Sequence, residues 1–490
     1  FFNNSTNESV RAALVGVNSR LFAVAPASWY CRVTKAFGPL VEKGNPELYQ
    51  TNYAASINTY ETSMWNAALK CLGNTNTILG GKDAYDYLGW GDNPHYFESA
   101  GRLLWNGNYY DLPHLMVQHF ARAINSNETH AYSILDYFHA HTTHIQDLHT
   151  THFDPSNMSD GACRYCPPTN HIGQDALEPA VMNQTSHHKT QSLFEMYYLL
   201  GEERALDAAL KGVKWIKTFG TGEVNAFNLN CYARRPAHIF NTLIAGYKYN
   251  FDAQNLSKLT SYLTALRTTI GTGGIDKCEP TLDQRWLVGL LTEAMVDAYP
   301  ITGNPLWIST VKQIVDSSAG TNSNNAYANA FLSSYYNNKT YLGTALTRMS
   351  IIGNGLTFGH HEKDYAEKSR SILMAFTYFA IPESLEISAE KFSNPSGMKQ
   401  LSIHAAPNPF NGTELSVCLN LPSATRVKIK LISPDGRVLN ELKLNKMAAG
   451  AHRMGLMFKG KNNHALSSGM YVLRLETQDR AVSSNVVYFK

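Results

Sequence analysis

Apolar positions fall at two different periods along this chain. As far as about residue 390 they recur three and four apart, which places them on one face of an α-helix; beyond about residue 400 they alternate with polar ones, as in a half-buried strand. Within the helical part, three segments repeat at a spacing of about 51 residues: "HHKTQSLFEMYYLLGEERALDAALKGVKWI", "HIFNTLIAGYKYNFDAQNLSKLTSYLTALRTTI" and "GLLTEAMVDAYPITGNPLWISTVKQIVDS". Each reads as a helix ending near a tyrosine, a short polar turn such as "LGEE" or "ITGN", and a second amphipathic helix. An earlier unit, "YYDLPHLMVQHFARAINSNETHAYSILDYFHAHTTHI", has the same form, and a further one runs through "YANAFLSSYYNNKTYLGTALTRMSII". Helical hairpins at a fixed period cannot bury their apolar faces singly, so they stack into an open solenoid or close into a ring. The expectation is a closed (α/α) toroid; an open helical scaffold that merely binds something is the alternative.

The change of period falls after "FSNPSGMKQ", which reads as a linker. "RVKIKLISPDGRVLNELKL" then alternates, turns at Asp435-Gly436 and alternates again, the mark of a β-hairpin. "SSGMYVLRLET" and "SSNVVYFK" add two strands. The expected fold is thus mainly α: an N-terminal segment over residues 1–100 packing on the toroid, the toroid over 101–392, a linker over 393–400, and a small all-β sandwich over 401–490.

Composition narrows the partners. An aromatic share of 11%, with 27 tyrosines, suits concave surfaces for flat, hydroxylated ligands such as sugars. A formal charge of +3, with no long basic run and no zinc-finger spacing, argues against nucleic acid. No stretch approaches about 18 uninterrupted apolar residues, so no membrane span is expected. Phe1, standing where a methionine would, is read as the start of a processed or truncated product. Seven cysteines leave at least one thiol unpaired and do not fix the compartment. Cys163 and Cys166 have CxxC spacing, for which a local disulfide or free pair is the plainer reading than zinc; their loop reads as a lid or subsite wall.

In a toroid the starts of the inner helices surround the central cavity. The repeat superposes Asn183, Arg234 and Arg285, and sets His187 over His238, with His188, Lys189, Arg235 and Gln284 around them. Arginines beside histidines and a lysine form a site for an anion such as a uronate carboxylate, gripped by guanidinium forks. Arg234 and Arg235 read alternatively as caps or solvent-facing groups. "GNYYDLPH" brings Tyr109, Tyr110, Asp111 and His114 to the start of the earliest inner helix. Tyr and His are proton carriers suited to removing a weakly acidic C–H proton, and Asp111 also reads as a helix N-cap ahead of Pro113.

The run "HAHTTHIQDLHTTH" holds five histidines. On a helical wheel His141, His149 and His152 fall in the apolar stripe of Ile134, Phe138 and Ile145, whereas His139 falls outside it. From His141 to His152 a helix rises about 16 Å, too far for one metal ion to gather both ends. Hydrogen-bonded structural histidines, site-lining histidines and a metal site stay open as readings.

These residues together resemble a family of (α/α)-toroid polysaccharide lyases related to exo-acting rhamnogalacturonan lyases. The resemblance runs from "ASWYCRVTKAFGPL" to about residue 310 through "YLGWGD", "NGNYYDLPH", "HTTHIQDLH" and "SHHKTQSLFEMYYLLGEERALDAAL". The family's histidine at each end of the third block is matched by His141 and His149, although His144 and Gln146 stand where acidic residues are common. The C-terminal part resembles the sorting domains of type IX secretion cargo, through "PNPFNG", "DGRVL", "AAGAH" and "SSGMYVLRL". Together they imply a protein secreted to the medium or bacterial cell surface, with secretion or attachment machinery as a partner of the β domain.

The expected activity is β-elimination on an acidic, uronate-containing, pectin-like glycan. Arg234, Arg235 and Asn183 would neutralise the carboxylate, His188 or Tyr110 act as base, and His187 or Lys189 as acid or subsite contact. His238, Arg285, Tyr109, Asp111, His114, His141 and His149 would bind substrate. A glycoside hydrolase on the same toroid, with Asp111, Asp147 and Glu195 as carboxylates, and a non-catalytic surface or assembly scaffold are the alternatives. The cofactor is left undetermined; a divalent cation is the candidate, although no acidic loop pattern for calcium is present.

Overall fold

The computed structural model describes residues 24–49, 52–72, 94–97, 102–105, 110–126, 130–152, 160–162, 185, 188–218, 233–271, 287–317, 325–353, 362–380, 401–405, 414–433, 437–457, 466 and 469–488. Twelve of its helices build a ring. They are α1 (Ala54–Leu72), α2 (Leu112–Ala123), α3 (Ala131–His144), α4 (Gln191–Leu200), α5 (Glu203–Thr218), α6 (Arg234–Asn250), α7 (Ala253–Ile270), α8 (Val288–Thr302), α9 (Leu306–Ser317), α10 (Ala326–Tyr336), α11 (Lys339–Gly353) and α12 (Glu362–Phe379). The even-numbered helices form the inner wall: each packs on the next, and α12 returns to α2. The outer helices α3, α5, α7, α9 and α11 each pack on the inner helix that precedes them, and α1 packs on α12. The toroid is therefore closed, and the N-terminal segment supplies one of its outer helices.

The turns that reverse the chain share one chemistry. Gly201, Phe251, Gly303 and Asn337 each take a left-handed conformation at the end of an inner helix. Their N–H groups donate back to the carbonyls of Tyr197, Tyr247, Tyr299 and Ser333. In three of the turns the following Asx residue opens the outer helix: Asp252, Asn304 and Asn338 accept from Gln254 N, Leu306 N and Thr340 N at 2.9, 3.0 and 3.0 Å. Tight turns make consecutive helices antiparallel, so all inner helices point the same way. Their N-termini crowd one end of the ring, here called the mouth.

Residues 24–49 cover the other end. The carbonyls of Phe37, Val41 and Pro39 accept from Gln118 (3.0 Å), Arg122 (2.6 Å) and Thr377 (2.9 Å), which lie towards the C-terminal ends of α2 and α12. A small antiparallel ribbon, β1 (Pro94–Phe97) with β2 (Arg102–Trp105), precedes α2. One continuous apolar core runs through the helical part from Tyr30 to Ala380.

A second core, from Leu401 to Tyr488, belongs to the strands. One sheet has the order β3 (Ser402–Ala405), β4 (Glu414–Leu421), β7 (Gly450–Met457); the other has the order β6 (Val438–Met447), β5 (Thr425–Ile432), β8 (Gly469–Glu476), β9 (Ala481–Tyr488), and all pairings are antiparallel. Val427, Ile429 and Leu431 of β5 bury on the same face as Leu473 and Leu475 of β8 and meet Leu415, Val417 and Leu419 of β4, which makes a sandwich. The expected hairpin is β5–β6, closed by Ser433 N donating to Arg437 O at 2.9 Å; the expected last two strands are β8 and β9. Among the described residues, no helix is long and apolar enough to cross a membrane.

Candidate functional site

Backbone strain marks the mouth. Tyr110 and Asp111, which open α2, both have φ of 58°, a left-handed conformation costing a side-chain-bearing residue on the order of 1–3 kcal/mol. Their neighbours hold them there. Tyr110 O accepts from Arg370 Nη1 of α12 at 2.8 Å, and Asp111 Oδ2 accepts from Ser192 N of α4 at 3.1 Å. Asp111 thus stands at the N-cap position expected of it, but its carboxylate caps the neighbouring helix instead of its own. The outcome is to lay the Tyr110 ring parallel to His238 of α6, with centroids 6.2 Å apart and planes at 10°.

Beside α4, the histidine run reaches the same end of the ring. Helix α3 passes at Ile145 into a π-helical turn, Ile145–His149, after which Thr150 is extended. Lys189 Nζ donates to His149 Nδ1 at 2.6 Å, and both side chains are buried. An ammonium has no lone pair, so a neutral His149 carries its proton on Nε2. His144 meets His149 edge-on at 4.8 Å, and His141 stacks on Tyr137 at 3.7 Å. His152 departs from the wheel expectation: the π turn shifts the register and the helix ends, leaving it exposed with Nε2 donating to Gln146 O. His139 is exposed, as its wheel position predicts.

His188 points into the wall. Its ring stacks on Trp215 at 5.6 Å and 3°; Nε2 donates to Gly161 O at 3.2 Å, and Nδ1 accepts from the Thr190 and Thr242 hydroxyls at 2.8 and 3.1 Å. Burial pulls its pKa down to about 4. Arg235 is half-buried in the first turn of α6, and the backbone of Arg234 begins that helix. Asn183, His187, Arg285, Tyr109, Gln284, Cys163 and Cys166, and the Arg234 side chain, lie outside the described residues.

Below the mouth, polar groups enter the ring from several inner helices. Arg370 donates to Glu293 Oε1 of α8 at 2.6 Å and to Gln191 Oε1 of α4 at 2.7 Å. Gln118 Nε2 donates to Phe37 O and to His114 Nε2 (3.0 Å each), so the remaining proton of His114 sits on Nδ1 and is donated to Glu195 Oε1 at 2.6 Å. Asp297 Oδ1 accepts from the Tyr327 hydroxyl at 3.0 Å. Burial first, then the nearby cations Arg370 and Lys248, hold His114 well below its ordinary pKa. Burial, reinforced by Asp111, holds Glu195 well above the usual carboxylate range, and burial raises Glu293 to about 7. Asp147 stands apart at the surface, 2.7 Å from Arg204. Asp111, Asp147 and Glu195 are thus not gathered at one place.

Arg370, Gln191, Glu293, Asp297 and Lys248 were not singled out in the sequence, though the repeat carried a signal. Adding 51 to Gln191 gives Thr242 and then Glu293 (191 + 51 = 242; 242 + 51 = 293), and Glu195 maps through Gly246 to Asp297 in the same way (195 + 51 = 246; 246 + 51 = 297). No group of three or more His, Cys, Asp or Glu residues among those described is arranged to hold a metal ion.

No family model matches the sequence, and no curated protein matches it. Among solved structures, the alkylpurine DNA glycosylase AlkC of Pseudomonas fluorescens, bound to DNA containing an abasic site analog, is similar at 12% identity over 58% of this chain and 87% of that one, with a TM-score of 0.13. At that score the likeness carries no argument about fold or activity.

Proposed function

We propose that the protein is a secreted polysaccharide lyase-like enzyme that cleaves an acidic, pectin-like glycan by β-elimination at the mouth of the ring. The observation that carries this reading is the strained Tyr110, pinned by Arg370 and laid against His238, with the Lys189–His149 pair at the same end. Backbone strain of this kind is retained at sites that use it, and the described side chains there are rich in proton carriers and cations.

β-Elimination needs the uronate carboxylate neutralised, so that the C5 proton becomes acidic. A base then removes that proton, the C–H electrons form the C4=C5 double bond, the C4–O bond breaks, and the departing oxygen is protonated. Lys189, with Arg234, Arg235 and Asn183, supplies the positive and amide groups for the carboxylate. His188 is a poor base in its present setting, because both ring nitrogens are engaged within the protein and its pKa is low. Tyr110 is therefore the base in this scheme, and Lys189 or His187 returns the proton. His238, His149, His141, His114, Asp111, Arg285 and Tyr109 shape the subsite. The β domain, in this reading, is an address or attachment for secretion machinery and takes no part in chemistry.

Incubation with a panel of uronate polysaccharides tests the proposal by following ultraviolet absorbance of the unsaturated product beside reducing ends. Rising absorbance is expected, with Tyr110→Phe and Lys189→Met each lowering kcat by about 100-fold or more. Reducing ends without absorbance would assign a hydrolase, and silence across the panel a scaffold. Full activity in Arg234→Ala would remove that residue from the carboxylate site.

A further inference from the structure

The two parts of the chain differ in charge. Residues 401–490 hold 12 Lys and Arg against 5 Asp and Glu, a net +7, whereas the preceding 400 residues, with 30 against 34, are net −4. Asymmetry of this size within one chain points to an anionic partner for the basic part. The sheet register shows where much of that charge collects. Val427, Ile429 and Leu431 of β5 and Leu473 and Leu475 of β8 are buried, so the residues that alternate with them face away from the sandwich core: Arg426, Lys428 and Lys430 on β5, Arg474 and Glu476 on β8. Residues directly opposite one another share a face. Lys428 lies between Lys443 of β6 and Glu476, and Lys430 between Glu441 of β6 and Arg474; Ser483 of β9 continues the second row. Five cations thus stand among two carboxylates. Glu476 is already engaged by Lys430 and Arg474 at 2.9 and 3.1 Å, and Glu441 by Lys443 at 3.0 Å. Arg426 and Lys428 close no ion pair among the described residues, so the face keeps a surplus of positive charge.

We propose that this outer face of the four-stranded sheet is a docking surface for a uronate-containing polysaccharide. Neighbouring strands lie about 4.8 Å apart and alternate residues of one strand about 7 Å apart, so an extended glycan laid on the face meets a charged side chain every ring or two. Arg426, Lys428, Lys443 and Arg474 pair with its carboxylates. Glu441, Glu476 and Ser483 accept from the hydroxyls between them. Nucleic acid and anionic lipid fit less well: their closely spaced phosphates would meet the two glutamates, and no aromatic side chain is offered for a base to stack on, since Tyr471 and Tyr488 point into the core. The choice of a carboxylated glycan as the polyanion rests on the proposed function; the basic face itself does not.

Interferometry of the full-length protein on immobilised polygalacturonate at increasing salt tests the proposal, with neutral galactan, single-stranded DNA and phosphatidylglycerol vesicles alongside. Polygalacturonate is expected to bind more tightly than the other three, and the binding to weaken as salt rises. Arg426→Glu with Lys428→Glu should weaken it about 10-fold or more, while turnover of a short oligogalacturonide at the mouth is unchanged. Arg426→Lys with Lys428→Arg, which keeps the charge, should retain binding, and Glu441→Gln with Glu476→Gln should strengthen DNA binding more than polygalacturonate binding. Circular dichroism on each variant separates lost binding from lost folding. Full affinity in the charge-reversed variant, or tighter binding of DNA or vesicles than of polygalacturonate, overturns the proposal. Both readouts are independent of turnover: a protein that cleaves no uronan still reports on this face, and one that cleaves uronans with the charge-reversed variant binding fully refutes this inference alone.

Discussion

His188 illustrates how a side chain read from sequence as a base becomes part of a wall. Its position at the start of an inner helix was legible, and so was Thr190 two residues on; the Trp215 face and the Thr242 hydroxyl that also engage it come from other helices of the ring, and no local spacing announces them. The consequence is measurable. A histidine whose pKa falls from about 6.5 unfolded to about 4 folded stabilises the fold above the unfolded value, and that contribution is lost as pH falls through the folded one. The thermal midpoint should therefore fall between about pH 6.5 and 4, with His188 accounting for on the order of 3 kcal/mol. In His188→Gln, midpoints measured across that window should show a shallower slope; an unchanged slope would refute the assignment. Arg122 makes a similar point for ion pairs. It lies 2.5 Å from Glu61 Oε1, its Nε donates to Val41 O, and the Tyr49 hydroxyl donates to the other oxygen of Glu61. Arg122→Ala would strand the buried Glu61 and should cost about 3–5 kcal/mol by urea denaturation.

The hairpins were the most legible elements, because period and turn chemistry agree. Tyrosine, left-handed cap and Asx recur in sequence as "YNFDA", "YPITGN" and "YYNNK", and in structure as the caps at Phe251, Gly303 and Asn337. Asn304 shows what one such cap contributes: its side chain accepts from Leu306 N at the start of α9. Asn304→Ala should lower stability by about 1 kcal/mol, seen as a shift of the denaturation midpoint with unchanged slope. The π turn at Ile145–His149 was not legible, since a single extra residue in a turn leaves the apolar spacing almost intact while rotating everything beyond it; His152 was misplaced for that reason. Strands β3, β4 and β7 were likewise unread. The short β3 has four residues, and β7, "GAHRMGLM", has glycines and charge where apolar alternation would identify a strand.

Ring closure is a property of the whole chain, and the sequence carries it only as a repeat whose ends must meet. Arg370 is where the ends are joined chemically: from α12 it reaches Glu293 on α8, Gln191 on α4 and the carbonyl of Tyr110, 260 residues earlier. Its guanidinium has the donors in fixed directions to serve three partners at once, which a lysine has not. The same residue that fastens the last helix to the first also holds the strained carbonyl at the mouth. Arg370→Met should therefore act twice. By leaving the buried Glu293 without its ion-pair partner it should destabilise the helical part by about 3–5 kcal/mol, and on the proposed function the release of Tyr110 should lower turnover on a uronate polysaccharide more than it raises KM. Because the strands have an apolar core of their own, scanning calorimetry of the full chain should resolve two transitions, with Arg370→Met lowering one and leaving the other in place. A single transition displaced as a whole would mean that the two cores unfold as one unit.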